Sequence, residues 1–164
     1  MLVTREADYA VRCVVEVARV GRTSAAQVAR VQGISPTFLG KIVQSLARAG
    51  ILATRRGVGG GISLGQPIER LTLLQVIEAV EGPLYINECL QSADACGQMH
   101  DCPAYPYLSQ AQARLRETLD VSLDRLLAAD RPELAPEVVA TERASDNGHR
   151  RRVRTADPAA GGEA

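Results

Sequence analysis

The fold of this chain is decided by residues 24–64, which read SAAQVARVQGISPTFLGKIVQSLARAGILATRRGVGGGISL. Ser24 and Gln27 have the spacing of a capping box, which predicts the start of a short helix. A glycine in the following turn permits a left-handed backbone, and Ser35 with Pro36 suits the start of a second helix. The buried side of that helix is predicted by an apolar stripe at helical spacing: Leu39, Ile42, Val43 and Leu46. Two short helices around a glycine-containing turn form a helix-turn-helix.

The opposite face of the second helix is polar and cationic and contains no acidic residue. Residues 51–56 then read as a strand, residues 57–61 as a glycine-rich turn and residues 62–64 as a return strand. This β-hairpin is a wing with Arg55 and Arg56 at its tip, where they suit phosphates or a minor groove. Together the helix and wing predict binding to double-stranded DNA, and the alternative is a packing hairpin with a solvated charged face. The predicted DNA contacts are Ser35, Pro36, Thr37, Lys41, Gln44, Arg48, Arg55, Arg56, Gly59 and Gly60.

The 164 residues have no net charge, but their charges are segregated along the chain. Residues 1–60 hold nine Lys or Arg against three Asp or Glu, whereas residues 61–130 hold four against ten. A basic front and an acidic back orient a molecule on a polyanion. No apolar run is long enough to cross a membrane and no signal peptide stands at the start, so we expect no membrane partner and a cytoplasmic location.

The whole pattern predicts a mainly α protein, with a winged helix-turn-helix domain and a long C-terminal dimerisation helix. The DNA-binding domain covers residues 1–83, a cysteine-containing loop residues 84–106, the long helix residues 107–130 and a disordered tail residues 131–164. Leucines recur at three-, four- and seven-residue steps along the long helix. Such a stripe needs an apolar partner, and a second copy of the chain is the most economical one. The alternative is a helix folded back on its own domain.

Four cysteines without a secretory signal indicate reduced thiols or metal ligands. Cys13 shares a helix face with apolar residues and is predicted to be a small core residue. Cys89, Cys96 and Cys102 lie on one loop, with six and five residues between them, which is wider than zinc spacing and suits an iron–sulfur cluster. A cluster needs a fourth ligand, for which His100 and Asp8 are the candidates. A thiol redox switch, or loop cysteines without a role, are the alternatives.

With these residues the chain resembles the IscR/NsrR family of winged-helix regulators, also called the Rrf-two family. The resemblance covers residues 1 to about 129. It is carried by TREADYA at residues 4–10, GIS at 33–35, LARAGIL at 46–52, RGVGGG at 56–61 and the cysteine triplet. The resemblance implies a homodimer crossed by the long helix, a palindromic operator, and an iron–sulfur cluster that acts as the sensor.

The chain departs from the family pattern at several positions. The family's usual triplet has five residues in both gaps, and the IscR branch has a histidine ligand where this chain has Tyr105. The NsrR branch has an acid at the position of Asp8, so the resemblance implies Asp8 of the partner subunit as fourth ligand and a 4Fe–4S rather than a 2Fe–2S cluster. IscR has a glutamate at the position of Gly40, so its operator preference does not transfer. The wing's usual aromatic residue is Ile62 here.

These observations predict a dimeric transcriptional repressor that senses iron–sulfur status, redox state or nitric oxide through the cysteine loop. The alternatives are a metal-free thiol-based redox regulator, or an iron–sulfur carrier or assembly protein without a DNA role. No nucleophile–base pair, phosphate loop or carboxylate dyad is present in a suitable context, so we do not expect an enzyme.

Overall fold

The computed structural model describes residues 4–92, 94–98 and 101–128, which form six helices, one two-stranded sheet and two short 3-10 turns. The predicted tail at residues 131–164 lies outside the described residues. In chain order the elements are α1 (Arg5–Val20), α2 (Ala25–Gln32), α3 (Pro36–Arg48), β1 (Leu52–Arg55), β2 (Gly61–Leu64), the 3-10 turn Ile68–Arg70, α4 (Leu73–Glu81), the 3-10 turn Glu88–Leu90, α5 (Tyr105–Leu119) and α6 (Leu123–Ala128).

The helix starts follow the capping signals with two differences. The Ser24 hydroxyl accepts the Gln27 amide at 3.1 Å, but the Gln27 side chain accepts from Arg30 and does not complete a capping box. A complete capping box is present at the start of α4, between Thr72 and Gln75. Ser35 occupies the N-cap position of α3, yet its side chain makes no capping hydrogen bond, so the fixed φ of the following proline contributes instead.

The core lies between α1, α2, α3, α4 and the base of the sheet. The apolar stripe predicted for α3 is confirmed, because Leu39, Ile42, Val43 and Leu46 are all buried. Cys13 is fully buried in α1 and belongs to the same core cluster, as predicted. The inner side of α3 is therefore fixed, and its polar side is left at the surface.

The wing is an antiparallel hairpin in which Leu52 pairs with Leu64 and Arg55 pairs with Gly61. Thr23, in the connection between α1 and α2, pairs with the other edge of β2. Its backbone exchanges two hydrogen bonds with Ile62, at 3.0 and 2.7 Å. Because Ile62 and Leu52 are also buried, the base of the wing is held against the core.

The continuous helix predicted for residues 107–130 is not confirmed, because the described part of this segment forms two helices. Helix α5 ends at Leu119, residues 120–122 turn, and α6 starts at Leu123. The turn is held by long-range backbone pairing: the Leu73 amide donates to Val121 at 3.0 Å, and the Leu123 amide donates to Leu71 at 2.8 Å. The leucine spacing continues across this break, but Leu123 is only 1% exposed and packs in the core of its own chain.

None of the helices in the described part of the chain combines the length and the apolar character that crossing a bilayer requires.

Candidate DNA interface and cysteine loop

Helix α3 presents its polar face to solvent. Thr37, Lys41, Gln44 and Arg48 are exposed, as are Ser35 and Pro36 at the start of the helix. The orientation of α3 is secured by the half-buried Phe38, whose ring meets Tyr9 of α1 edge-on at 5.8 Å between centroids. The predicted helix contacts therefore share one accessible surface.

The wing tip is tight, and its backbone favours glycine at residues 57, 59 and 60. The Gly60 amide donates to Gly57 at 2.9 Å, and Gly57 and Gly59 have φ values of 93° and 72°. A Cβ atom at residue 60 would overlap the carbonyl oxygens of Arg55 and Gly57. This compact tip leaves Arg55, Arg56 and Gly59 exposed, with Gly60 half-buried behind them.

The cations of this surface are not neutralised within the described residues. The ion pairs found there join Arg12 to Asp8 and Arg116 to Glu78, and neither involves α3 or the wing. Arg48 donates to the Ser45 hydroxyl at 3.1 Å, a neutral contact that leaves its charge intact. A surface suited to phosphates is thus formed by two cations on α3, Lys41 and Arg48, and two on the wing, Arg55 and Arg56.

Sequence reasoning missed Arg22, which the structure places beside the wing. Its side-chain stem lies 3.7 Å from the position of a Cβ on Gly61, and the residue is exposed. Arg22 reaches this place because its neighbour Thr23 pairs with Ile62 across about forty residues of sequence. No local pattern reveals that pairing, since Gly21-Arg22-Thr23 reads only as a connection between two helices.

The three loop cysteines are half-buried, and none is in a disulfide. Cys89 lies in the 3-10 turn Glu88–Leu90, and Cys102 lies three residues before α5. Within the described residues, no three Cys, His, Asp or Glu side chains come close enough to hold one metal ion. The thiol donor set has the chemistry of an iron–sulfur site, but the described residues do not gather it into one. The alternative fourth ligand, His100, lies outside the described residues.

Asp8 is exposed on α1 and is bound by Arg12 of the same helix. The Arg12 Nη2 and Asp8 Oδ2 atoms are 3.0 Å apart, and Arg12 Nε donates to Oδ1 at 3.1 Å. The Arg12 guanidinium also lies 5.9 Å from the centre of the Tyr9 ring. Since both members of the ion pair are about half exposed, solvent screens the interaction and it is weak. Asp8 can therefore exchange its partner.

A second group missed by sequence reasoning holds the start of the cysteine loop. Glu78 of α4 and Gln112 of α5 each bind residues 84–86, and Arg116 of α5 binds Glu78. These three residues are here called the loop anchor. The Leu84 amide donates to Glu78 Oε1 at 3.0 Å, and Arg116 Nη1 donates to the same oxygen at 2.6 Å. Partial burial alone would raise the pKa of Glu78, but these hydrogen bonds and the Arg116 charge lower it overall.

Gln112 completes the loop anchor through its amide group. Its Nε2 donates to the Leu84 carbonyl at 2.7 Å, and its Oε1 accepts the Ile86 amide at 2.9 Å. The sequence did contain a signal for this role, because Gln112 is a polar residue on the apolar side of α5, between Leu108 and Leu115 at helical spacing.

An exposed basic helix beside a basic, glycine-tipped hairpin defines a winged-helix protein of the DNA-binding type. The comparison with protein families agrees, since residues 3–129 match the Rrf2 model, described as an iron-dependent transcriptional regulator. The chain belongs to the Rrf2 family. The resemblance to the IscR/NsrR regulators is thereby confirmed. Rrf2 proteins are DNA-binding transcriptional regulators, not enzymes, and are typically dimeric.

Individual relatives extend the comparison. The chain is 33% identical to Protein aau3 of Rhizobium meliloti (strain 1021) over 138 residues, which cover 82% of this chain and 89% of that protein. Its fold is similar to that of CymR (YrzC), the global cysteine regulator of B. subtilis, with a TM-score of 0.64 and 23% identity over 78% of this chain and 97% of that one. T. potens IscR is also similar, with a TM-score of 0.61 and 22% identity over 85% and 96% of the two chains. At these identities the two solved structures support the fold alone.

Proposed function

We propose that this protein is a homodimeric, cytoplasmic transcriptional repressor that binds a palindromic operator and responds to chemistry at its cysteine loop. The observation that carries the DNA-binding part is the exposed, acid-free face of α3 beside the basic wing. Thr37, Lys41 and Gln44 enter the major groove, and Arg55 and Arg56 contact phosphates or the adjacent minor groove. Ser35, Pro36, Arg48, Gly59 and Gly60 lie along the same contact.

Dimerisation is proposed to use α5 and not a helix continued through α6. Tyr107 is 76% exposed, and Leu115 and Leu119 are only half-buried on their own chain, so apolar surface remains available on α5. Leu123 is not available, because it fills the core of its own chain. A two-fold symmetric pair of α3 helices reads a palindromic operator, with its half-sites spaced by the dimer.

The sensor is proposed to be an iron–sulfur cluster held by Cys89, Cys96 and Cys102, with Asp8 of the partner subunit as the fourth ligand. Support comes from three free thiols on one short loop and from the weak Asp8–Arg12 ion pair, which leaves that carboxylate exchangeable. When bound, a 4Fe–4S group supplies iron that reacts with oxygen or nitric oxide. The chain's own part is to close the loop so that the thiols gather, and to release Asp8 from Arg12.

A second candidate is a thiol switch without metal, with the same DNA-binding surface. It is favoured by one observation, namely that the described loop does not gather its thiols into a ligand set. In that case a change in the oxidation state of the loop cysteines sets the DNA affinity.

The wing assignment is tested by titrating DNA affinity against salt for the parent and an Arg55→Ala/Arg56→Ala variant. Each lost phosphate contact lowers the slope of log affinity against log salt by about 0.9, so four contacts in a dimer lower it by up to about 3.6. An Arg70→Ala/Arg125→Ala variant removes the same charge from exposed positions outside α3 and the wing, and we expect it to keep the parent slope. Equal slopes for parent and wing variant exclude the assignment, whereas Gln44→Ala is expected to change sequence preference.

The cluster assignment is tested by ultraviolet–visible and Mössbauer spectra of anaerobically purified protein. Cys89→Ala, Cys96→Ala and Cys102→Ala should each lose or weaken the iron–sulfur absorbance, and Cys13→Ala should keep it because that thiol is in the core. Asp8→Ala should perturb the spectrum and His100→Ala should not. A colourless parent containing stoichiometric zinc, or the reverse result for Asp8 and His100, contradicts the corresponding assignment.

A further inference from the structure

Both ends of the cysteine loop are attached to α5. The loop leaves the body of the protein after Ile86, whose amide is bound by Gln112. It returns at Tyr105, whose amide donates to the Cys102 carbonyl at 3.2 Å where α5 begins. Tyr105 and Gln112 are seven residues apart on one helix, or about 10 Å along its axis. A movement of either end of the loop relative to α5 must therefore break or strain the attachment at that end.

Gln112 makes directed hydrogen bonds, and its role is not limited to filling space between α5 and the loop. The residue is only 8% exposed, and among the described residues it is the one polar residue that is buried. A buried amide is costly unless both its donor and its acceptor are used. Here the backbone of one short segment, residues 84–86, uses both groups. The Gln112 side chain therefore donates to and accepts from this segment, as the backbone of a paired β-strand does.

The loop anchor also reaches the layer that carries the recognition helix. Glu78 belongs to α4, which packs against both α1 and α3. Glu78 accepts from Leu84 of the loop segment and from Arg116 of α5 through one oxygen atom, so α4, α5 and the start of the loop meet at one carboxylate. The side chain of Leu84 is buried at the same place.

We propose that Gln112 is a positioning residue for sensing. In this proposal, the contacts of the loop anchor transmit a change in the cysteine loop to α4 and the DNA-binding helices. The inference rests on the proposed function, because it assumes that the loop is the sensor. It assigns Gln112 no contact with DNA or with a bound group. In the proposed role, Gln112 keeps the loop start fixed on α5, so that closing or opening of the loop moves α5 and α4 together.

The test uses the full chain with Gln112→Met, which keeps the approximate length of the side chain but removes both hydrogen bonds. The matched control is Gln110→Met, an exposed glutamine on the same helix. A second variant, Gln112→Leu, also removes both hydrogen bonds with an apolar side chain of similar size, in case the first variant folds poorly. Two quantities are measured: hydrogen exchange of the Leu84 and Ile86 amides, and the ratio of DNA affinities between apo protein and protein reconstituted anaerobically with ferrous iron and sulfide.

We expect Gln112→Met to speed exchange at Ile86 by about tenfold, because the side-chain acceptor of that amide is lost, with little change elsewhere in the domain. We also expect the affinity ratio to fall towards one while the affinity of the apo protein stays within about twofold of the parent. Gln112→Leu should match Gln112→Met in both quantities, and Gln110→Met should match the parent.

The outcomes separate the two proposals. A Gln112→Met protein that keeps the parent affinity ratio, despite faster exchange at Ile86, overturns the role of Gln112 and leaves the sensor intact. A parent whose affinity ratio is one overturns the proposed sensor and, with it, the coupling. Unchanged exchange at Ile86 in a folded variant shows that the loop anchor does not hold the segment, which also overturns the proposal.

Discussion

Replacing Leu123 with alanine tests whether the C-terminal segment folds back on its own chain. Leu123 is the first residue of α6, is 1% exposed, and lies in the same core cluster as Leu71 and Val76. Its amide donates to Leu71 at 2.8 Å, an interaction that the substitution leaves in place. The variant therefore removes side-chain packing and retains the backbone pairing that directs α6.

The magnitude follows from the carbons that leave the core. Leucine has three carbon atoms more than alanine, and at about 0.8 kcal/mol each their transfer accounts for about 2.4 kcal/mol of lost stability. The cavity left behind can raise the loss to about 5 kcal/mol. At about 4 °C per kcal/mol for a domain of this size, the melting temperature should fall by about 10 °C or more. Urea unfolding measures the free energy directly, and it is carried out at one fixed protein concentration because the proposed dimerisation would make stability depend on concentration.

Arg125→Ala is the matched control, since it changes an exposed residue of the same helix and should alter the unfolding free energy by less than about 0.5 kcal/mol. The reasoning fails if Leu123→Ala costs less than about 1 kcal/mol and instead weakens the dimer in sedimentation experiments. That result would place Leu123 on a seam between subunits, as a continuous helix through residues 105–128 requires.

Three further predictions concern the wing, the core thiol and the loop anchor. Gly60→Ala should weaken DNA binding at all sequences, because the added Cβ overlaps backbone oxygens of the wing tip; a parent-like affinity by gel shift contradicts this geometry. Burial raises the pKa of the Cys13 thiol to about 12, so at pH 8 only about one molecule in 10,000 carries the thiolate. Mass spectrometry should therefore find the loop cysteines alkylated by iodoacetamide well before Cys13, and equal rates in folded protein would refute it. The lowered pKa of Glu78 means that its charged form stabilises the fold above its ordinary value of 4.5 and that this contribution is lost as the pH falls through its folded value. The difference in unfolding free energy between the parent and Glu78→Gln should accordingly be largest at pH 7 and shrink below pH 4.5; a difference independent of pH contradicts it.

The features that could be predicted from sequence are those encoded within one or two helical turns. Caps at Ser24 and Thr72, the apolar stripe of α3 and the glycine-tipped wing depend on residues three to seven positions apart, and the structure contains them all. Cys13 belongs to this group as well, because its burial follows from the helical spacing of its apolar neighbours.

The features that escaped prediction depend on contacts between distant residues. The pairing of Thr23 with Ile62 brings Arg22 to the wing, and the pairing of Thr72 with Ser122 ends the helix that the leucine spacing had continued. Leucines at helical spacing are compatible with one long helix or with two helices separated by a turn of suitable length. The choice is made by backbone partners about fifty residues away, which a periodicity cannot reveal.

Helix α4 is where these long-range contacts converge. At the start of α4, the Leu73 amide donates to the carbonyl of Val121, which lies in the turn before α6. Farther along α4, the Glu78 carboxylate accepts hydrogen bonds from the Leu84 amide at the start of the cysteine loop and from Arg116 of α5. Glu81, its last residue, accepts a hydrogen bond from Thr4 at the start of α1.

Helix α4 also packs against α1 and α3, so one helix contacts both the C-terminal elements and α3. Hydrogen bonds join α4 to the C-terminal elements at Leu73 and at Glu78. A displacement of α5 or of the loop start, as the proposed dimerisation and sensing require, therefore moves α4 or breaks at least one of these bonds. The basic surface of α3 and the cysteine loop are thus connected through one nine-residue helix. In the proposed mechanism, this arrangement lets a change in the loop reach the surface of α3 without any direct contact between them.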